Sequence, residues 1–382
     1  MNRTKSILSA PQSTMTPMAL IVATLLTCLT ACSSDNDSPE EPELQTSISF
    51  GASLPEATNV ESGTRAEGLE TKNTEFTVWA YKNKALISGD GTPASPYNYG
   101  NLQTVMSQYK VQWAENTANT TLTNTHDWDY IGIDDQTIKY WDFDAKAYRF
   151  FGATPSSAIG SALSVTKTDE KVTFAITADA TSETTIAATP YFSRLWFSNN
   201  NINSSNKYAD VVQLEFIKPF ARVRVMFTFA KGLEIPHATL SNISFKPADD
   251  TKQIPQSGTV TVTYPLTGTE TAETITTEPS TSNTLAAITQ DYWVGDADDP
   301  AHLTWYTVFP IASQGVYQMT LNVEGVEKTA YVPAEFMSWD ANYSYTYIFK
   351  ILEGGGVIFD EVQVGIKGWN NAETFNHPVY NW

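Results

Sequence analysis

Residues 214–229 read Leu-Glu-Phe-Ile-Lys-Pro-Phe-Ala-Arg-Val-Arg-Val-Met-Phe-Thr-Phe, and the second half of this run alternates with a period of two. Val223, Val225 and Phe227 fall on one face, with Arg222, Arg224 and Thr228 on the other. Successive side chains of an extended chain point to opposite faces, whereas a helix would spread these apolar residues around its circumference. The same signature recurs. Residues 76–81 read as a half-buried strand, and 109–113, 138–141, 147–153 and 172–176 as further strands. Past a composition break at 231–236 come 240–245, 259–264, 304–309, 317–323, 327–332 and 343–351. Gly89-Asp90-Gly91 with Pro93 and Pro96 punctuates a loop-rich span, and the Thr/Glu-rich residues 267–284 have little to bury. No stretch carries a convincing helical period. Short strands at intervals of roughly 8–12 residues predict an all-β chain built of antiparallel sandwiches. The expected organisation is two tandem β-sandwich domains with Greek-key connections, over residues 46–232 and 233–382.

The first residues read as an export signal and are not expected to be part of the fold. Arg3 and Lys5 supply a positive end, and the apolar run 18–31 is too short to span a bilayer comfortably. Leu29-Thr30-Ala31-Cys32 resembles the lipobox of bacterial lipoproteins, in which the cysteine becomes the lipid-carrying N-terminus. The alternative is an ordinary signal peptide with a chance cysteine. Cys28 follows Thr27 rather than a small apolar residue, and leaves with the signal. Residues 1–31 are thus expected to be removed, and 32–45 to form an acidic flexible tether. The acidic residues just after Cys32 loosely resemble the surface-export signals of lipoproteins in some Gram-negative anaerobes.

Charge narrows the partners. The chain carries a net −19, and without Arg3 and Lys5 its 21 basic residues face 42 acidic ones, a balance of −21. Such a surface repels phosphate backbones, so no nucleic-acid partner is expected. With Cys28 gone, Cys32 is the only cysteine, which leaves no intrachain disulfide and no thiolate metal cage. Stability must come from buried apolar area, for which 41% hydrophobic and 12% aromatic residues suffice.

No catalytic pattern stands out, and neither an enzymatic activity nor a cofactor is expected. There is no Gly-x-Ser-x-Gly elbow, no His-Glu-x-x-His and no Gly-rich phosphate loop. His126, His237, His302 and His377 are scattered without metal-ligand spacing, as surface or turn residues. The run 295–300 offers oxygen ligands for calcium but lacks a distal glutamate at the required offset; an acidic turn explains it better. Most tryptophans sit in alternating strands, where core packing accounts for them. Trp128 and Tyr130, in the loop-like Asp127-Trp128-Asp129-Tyr130, are the exception and the candidates for ligand contact.

Several segments together resemble a known family. They are Tyr140-Trp141, then Tyr148-Arg149-Phe150-Phe151-Gly152-Ala153-Thr154-Pro155, and Leu214-Glu215-Phe216 leading into Ala221-Arg222-Val223-Arg224-Val225. Trp339-Asp340-Ala341-Asn342-Tyr343-Ser344-Tyr345-Thr346-Tyr347 follows, and Val362-Gln363-Val364 with Trp369 closes the set. In this order after a lipobox, they resemble the fimbrillin family, the lipoprotein-derived pilins of type V pili, over most of the mature chain. One departure is Lys218-Pro219, where fimbrillin-like proteins often carry histidine. The resemblance implies transthyretin-like sandwiches and a fimbrium on the surface-exposed side of the outer membrane. The partners implied are other fimbrillin-like subunits, in a homo- or heteropolymer, and a ligand on a host or bacterial surface. It further implies that an arginine-specific protease removes residues 46–65 with their first strand, 47–54, by cutting at Arg65. A donor strand from the next subunit then fills the vacated groove. The alternatives are that 47–54 is a permanent edge strand and Arg65 a solvated charge. The C-terminal run Val357–Ile366, set off by Gly354-Gly355-Gly356, is either a donor strand or a native strand of the second domain. Two other readings stay open: a monomeric surface lipoprotein that captures glycans for uptake, keeping residues 33–65, and a hydrolase on a β-sandwich.

Overall fold

The computed structural model describes residues 46–53, 75–113, 128–130, 133, 136–179, 189–201, 204–230, 239–294, 306–313, 315–366 and 375–378. The expected signal, the tether with Cys32, Arg65, the run 295–300 and Trp369 lie outside the described residues. Within them every regular element is a strand, apart from two short 3-10 turns.

Strands are numbered in chain order. The largest sheet runs β1 (Phe50–Ser53), β10 (Val212–Ile217), β8 (Tyr191–Ser193), β5 (Ala147–Thr154), β2 (Glu75–Ser88), β3 (Asn98–Trp113) and β4 (Trp128–Asp129), with β9 (Trp196–Ser198) also paired to β5. A second sheet is β15 (Thr274–Pro279), β14 (Ser257–Pro265), β7 (Lys171–Asp179) and β6 (Leu163–Lys167). The third is β18 (Tyr306–Val308), β11 (Ala221–Phe229), β21 (Tyr343–Ile351), β22 (Val357–Ile366) and β23 (Phe375–Pro378). The fourth is β17 (Ile288–Val294), β12 (Thr239–Pro247), β19 (Tyr317–Val323) and β20 (Val326–Val332). β13 (Ile254–Pro255) and β16 (Thr284–Leu285) form a short separate pair. Pairing is antiparallel except at β1–β10 and β11–β21, which are parallel.

Three cores follow from the faces of these strands. Trp79, Tyr81, Phe151 and Ala153 project from the large sheet onto Phe174, Val260, Val262 and Tyr264 of the second. The rings of Phe151 and Tyr264 stack at 4.0 Å. On the opposite face of the large sheet, Phe76, Val78, Ala80 and Phe150 build another core with Phe50, Trp128, Tyr130, Trp141 and Tyr208. β2 is therefore buried on both faces along 76–81 rather than half-buried, and all eight residues of β5 are buried. The third and fourth sheets enclose the remaining core around Val223, Val225, Phe227, Phe245, Trp339 and Tyr347.

The run 214–229 turns out to be two strands in two sheets, β10 and β11. Pro219 has no N–H to donate to a ladder, and the Lys218 N–H instead donates to Asn342 Oδ1 at 3.1 Å, so the chain crosses there. Strand pairing also crosses residue 232 in both directions. β11, before it, is central to the third sheet, while β14 and β15, after it, complete the sandwich of the large one. Strands pair by edge and face complementarity, which ignores distance along the chain. The polar segment 267–284 contains β15, an exposed strand at the edge of the second sheet; backbone pairing needs no apolar side chains. Residues 138–141 contribute only the isolated bridge of Tyr140 to Ser47.

Candidate functional site

Residues 46–53 occupy a slot whose two walls are backbone. On one side β1 runs parallel to β10, with Phe50 level with Val212 and Ser53 with Glu215. The Val212 N–H donates to the Ser49 carbonyl at 2.9 Å. On the other side the Ile48 N–H donates to the Lys139 carbonyl (2.8 Å), and the Trp141 N–H to the Thr46 carbonyl (2.9 Å). The Tyr130 phenol adds a bond from its O–H to the Ile48 carbonyl at 3.0 Å. Burial pushes that phenol up to about 12, so it stays a donor at physiological pH. Residues 46–48 are thus bonded on one flank and 49–53 on the other, while β1 itself stands at the end of the sheet's strand order. β1 also lies beside β4, the far end of the same strand order, so the large sheet curls round until its ends meet across this segment.

Alternate side chains of the segment point into the core. Ile48 is 1% exposed, Phe50 0% and Ala52 6%, while Ser47 and Ser49 are half-buried. Phe50 meets Tyr130, Phe150 and Phe76 edge-on, at centroid distances of 5.7, 6.0 and 6.2 Å. Two apolar anchors of this size contribute about 1.5–3 kcal/mol each by burial, and the main-chain bonds about 0.5–1.5 kcal/mol each.

Trp128 and Tyr130 are 2% and 4% exposed, so neither offers a ring to a ligand from solution in this arrangement. Trp128 packs on Phe76 and Trp113 at 4.9 and 5.2 Å, and the work of Tyr130 is to hold the N-terminal segment. The sequence carried the alternation of Ile48, Phe50 and Ala52, but nothing local tied it to residues 139–141.

Among the described residues, two cations are buried, Arg149 and Lys218. The Arg149 guanidinium, fully buried, donates to Asn83 Oδ1 and to the Glu270 carbonyl (3.1 Å), and faces the rings of Phe197 and Tyr99 at 4.9 and 5.3 Å. Desolvation draws its pKa down to about 10. Lys218 Nζ donates to the Thr189 carbonyl at 2.7 Å and lies 3.9 Å from the Tyr191 ring centre. Burial lowers its pKa to about 7. Among the described residues no group of three or more His, Cys, Asp or Glu is placed to hold a metal ion.

No protein-family model and no curated protein matches the sequence. Solved structures to which the chain is similar include a fimbrial protein from Bacteroides vulgatus, 11% identical over 85% of this chain and 99% of that one, with a TM-score of 0.42. Another is a candidate cell adhesion protein from Bacteroides ovatus, at 11% identity, 86% and 99% coverage and a TM-score of 0.41. A third, from Bacteroides thetaiotaomicron and described as a candidate polysaccharide binding protein, gives 9% identity, 88% and 98% coverage and a TM-score of 0.29.

Proposed function

We propose that this chain is a fimbrillin-like structural and adhesive subunit of a surface pilus, exported as a lipoprotein on Cys32 and assembled by donor-strand exchange after cleavage at Arg65. The observation that carries this reading is the slot itself: residues 46–53 complete a core and two backbone walls, yet reach β2 in sequence only through 54–74, which contain Arg65. A cut there leaves the segment held by noncovalent contacts alone. Once it departs, Val212 N–H, Trp141 N–H and the Lys139 carbonyl lose their partners. Bare backbone groups beside an apolar floor favour the entry of another extended chain by strand addition. Tyr130 and Trp128 then meet the incoming strand rather than a soluble ligand.

The donor is assigned to the C-terminal segment containing β23. β22 is fixed between β21 and β23, whereas β23 is the last strand of its sheet and pairs over Phe375–Pro378 only. The test is trace arginine-specific protease added to the purified protein. Cleavage after Arg65 is expected to give high-mass, detergent-resistant ladders, and Arg65→Ala to stay monomeric. A chain that is cut after Arg65 and never polymerises, even with co-expressed partner subunits, refutes the shaft-subunit role. Residues 33–65 retained on protein recovered from cells would favour a monomeric glycan-binding lipoprotein instead.

A further inference from the structure

We propose that a cleft beside the outer end of the β2–β3 hairpin binds a neutral pyranose unit of a glycan. The cleft measures about 300 Å³ and is lined chiefly by Tyr97, Tyr99, Phe143, Asn199, Asn200 and Asn201. That volume lies at the lower end of the range of small-molecule sites, roughly 300–1,000 Å³. Exposed Phe143 and half-buried Tyr97 offer ring surface, and exposed Asn200 and Asn201 offer amides in the same lining, a combination that matches a sugar ring. Its C–H face is apolar and packs on an aromatic ring, while its hydroxyls both donate and accept. A side-chain amide offers two donors and a carbonyl acceptor, so neighbouring amides can satisfy adjacent hydroxyls.

Both arms are fixed before any ligand arrives. Phe143 is 55% exposed, yet the turn that displays it is pinned on all sides. The Asp142 carboxylate accepts from Lys82 Nζ (2.6 Å) and Lys84 Nζ (2.9 Å), and the Asp142 N–H donates to Tyr148 Oη (2.7 Å). The Ala145 N–H closes the turn on the Asp142 carbonyl, and the Lys146 N–H donates to the Asn83 carbonyl of β2. In the other arm Asn199 Nδ2 donates to Tyr99 Oη (3.0 Å), the Asn201 N–H to Asn199 Oδ1 (3.0 Å), and the Asn200 N–H to Ser198 Oγ (3.2 Å). Asn200 holds φ at +55°, a left-handed conformation that asparagine tolerates better than most residues. The buried Arg149 guanidinium, against Tyr99 and Phe197, stiffens the floor. An exposed aromatic ring on a rigid turn loses little conformational entropy on binding.

The charge around the cleft selects the neutral class. Among the described residues of its lining Lys146 alone is charged, and the chain as a whole carries −19. A wholly apolar occupant would cost the amides their hydration without replacing it. This inference deepens the adhesive half of the reading above but is independent of strand exchange, because it is measured on uncut monomer.

The experiment is saturation-transfer NMR on the full-length, uncut protein. The probes are the methyl glycosides of glucose, galactose, mannose and N-acetylglucosamine, with methyl glucuronide and the methyl glycoside of sialic acid as the acidic arm. Transfer to the ring C–H protons of at least one neutral glycoside is expected. Phe143→Ala is expected to abolish it, and so is Asn200→Gly, which removes the amide while keeping the backbone conformation available. An unchanged near-UV circular dichroism spectrum confirms that each variant is folded. Absence of transfer to every neutral glycoside, transfer confined to the acidic ones, or undiminished transfer in the folded variants overturns the proposal.

Discussion

Phe50→Ala tests the slot most directly. Phe50 is 0% exposed and meets three aromatic rings edge-on, and its strand stands at the end of the large sheet's strand order. Truncating a buried phenylalanine to alanine costs about 3–5 kcal/mol, the transfer term plus the cavity left behind. The edge-on partners, each worth about 0.5–1.5 kcal/mol beyond area, place this site in the upper part of that range. In the uncut protein the melting temperature is expected to fall by roughly 10 °C, at a few degrees per kcal/mol. Ser49→Ala, at a half-buried position whose bond to Val212 is made by its backbone carbonyl, is the control and is expected to stay within about 0.5 kcal/mol of wild type. After protease treatment at Arg65, the same 3–5 kcal/mol weakens retention of the cut segment by about 150- to 4,000-fold. Gel filtration followed by mass spectrometry of the cut protein reads that retention. A loss below about 1 kcal/mol in the uncut Phe50→Ala variant, or wild-type retention of its cut segment, would refute the reasoning. Either result would mean that the side chains do not hold the strand in place.

Two further outcomes follow from the anchor and from the buried lysine. Cys32→Ser is expected to move the protein from the membrane fraction to a soluble periplasmic pool, or to stall its maturation; unchanged membrane association, with no acyl label on wild type, would reject lipidation. Lys218, at about 7 in the folded chain against 10.5 for an ordinary lysine, binds its proton more weakly folded than unfolded. Stability therefore rises with pH above about 7, by at most about 1.4 kcal/mol per unit. Tyrosines such as Tyr81 and Tyr148, raised to about 12, act in the opposite sense only above about pH 10. Urea unfolding at pH 7, 8 and 9 should show the rise in wild type and a flat profile in Lys218→Met.

Strand identity was written locally. The alternation of Tyr317–Val323 and Tyr343–Ile351 marked β19 and β21 to the residue, and that of Val223, Val225 and Phe227 marked the buried face of β11. The apolar positions of the N-terminal segment, Ile48, Phe50 and Ala52, were equally legible as a short strand. Period two needs only neighbours in the chain, because it is the geometry of one extended backbone. Tertiary structure alone decided what each strand pairs with. It split 214–229 at Pro219, set β11 parallel to β21 more than a hundred residues away, and laid 46–53 between β10 and residues 139–141. It also buried Trp128 and Tyr130 and left Phe143 exposed on the turn that leads into β5. An unpaired strand edge offers the same row of N–H and C=O groups whatever its side chains. Which edge it meets is therefore settled by the packing of faces across the whole molecule.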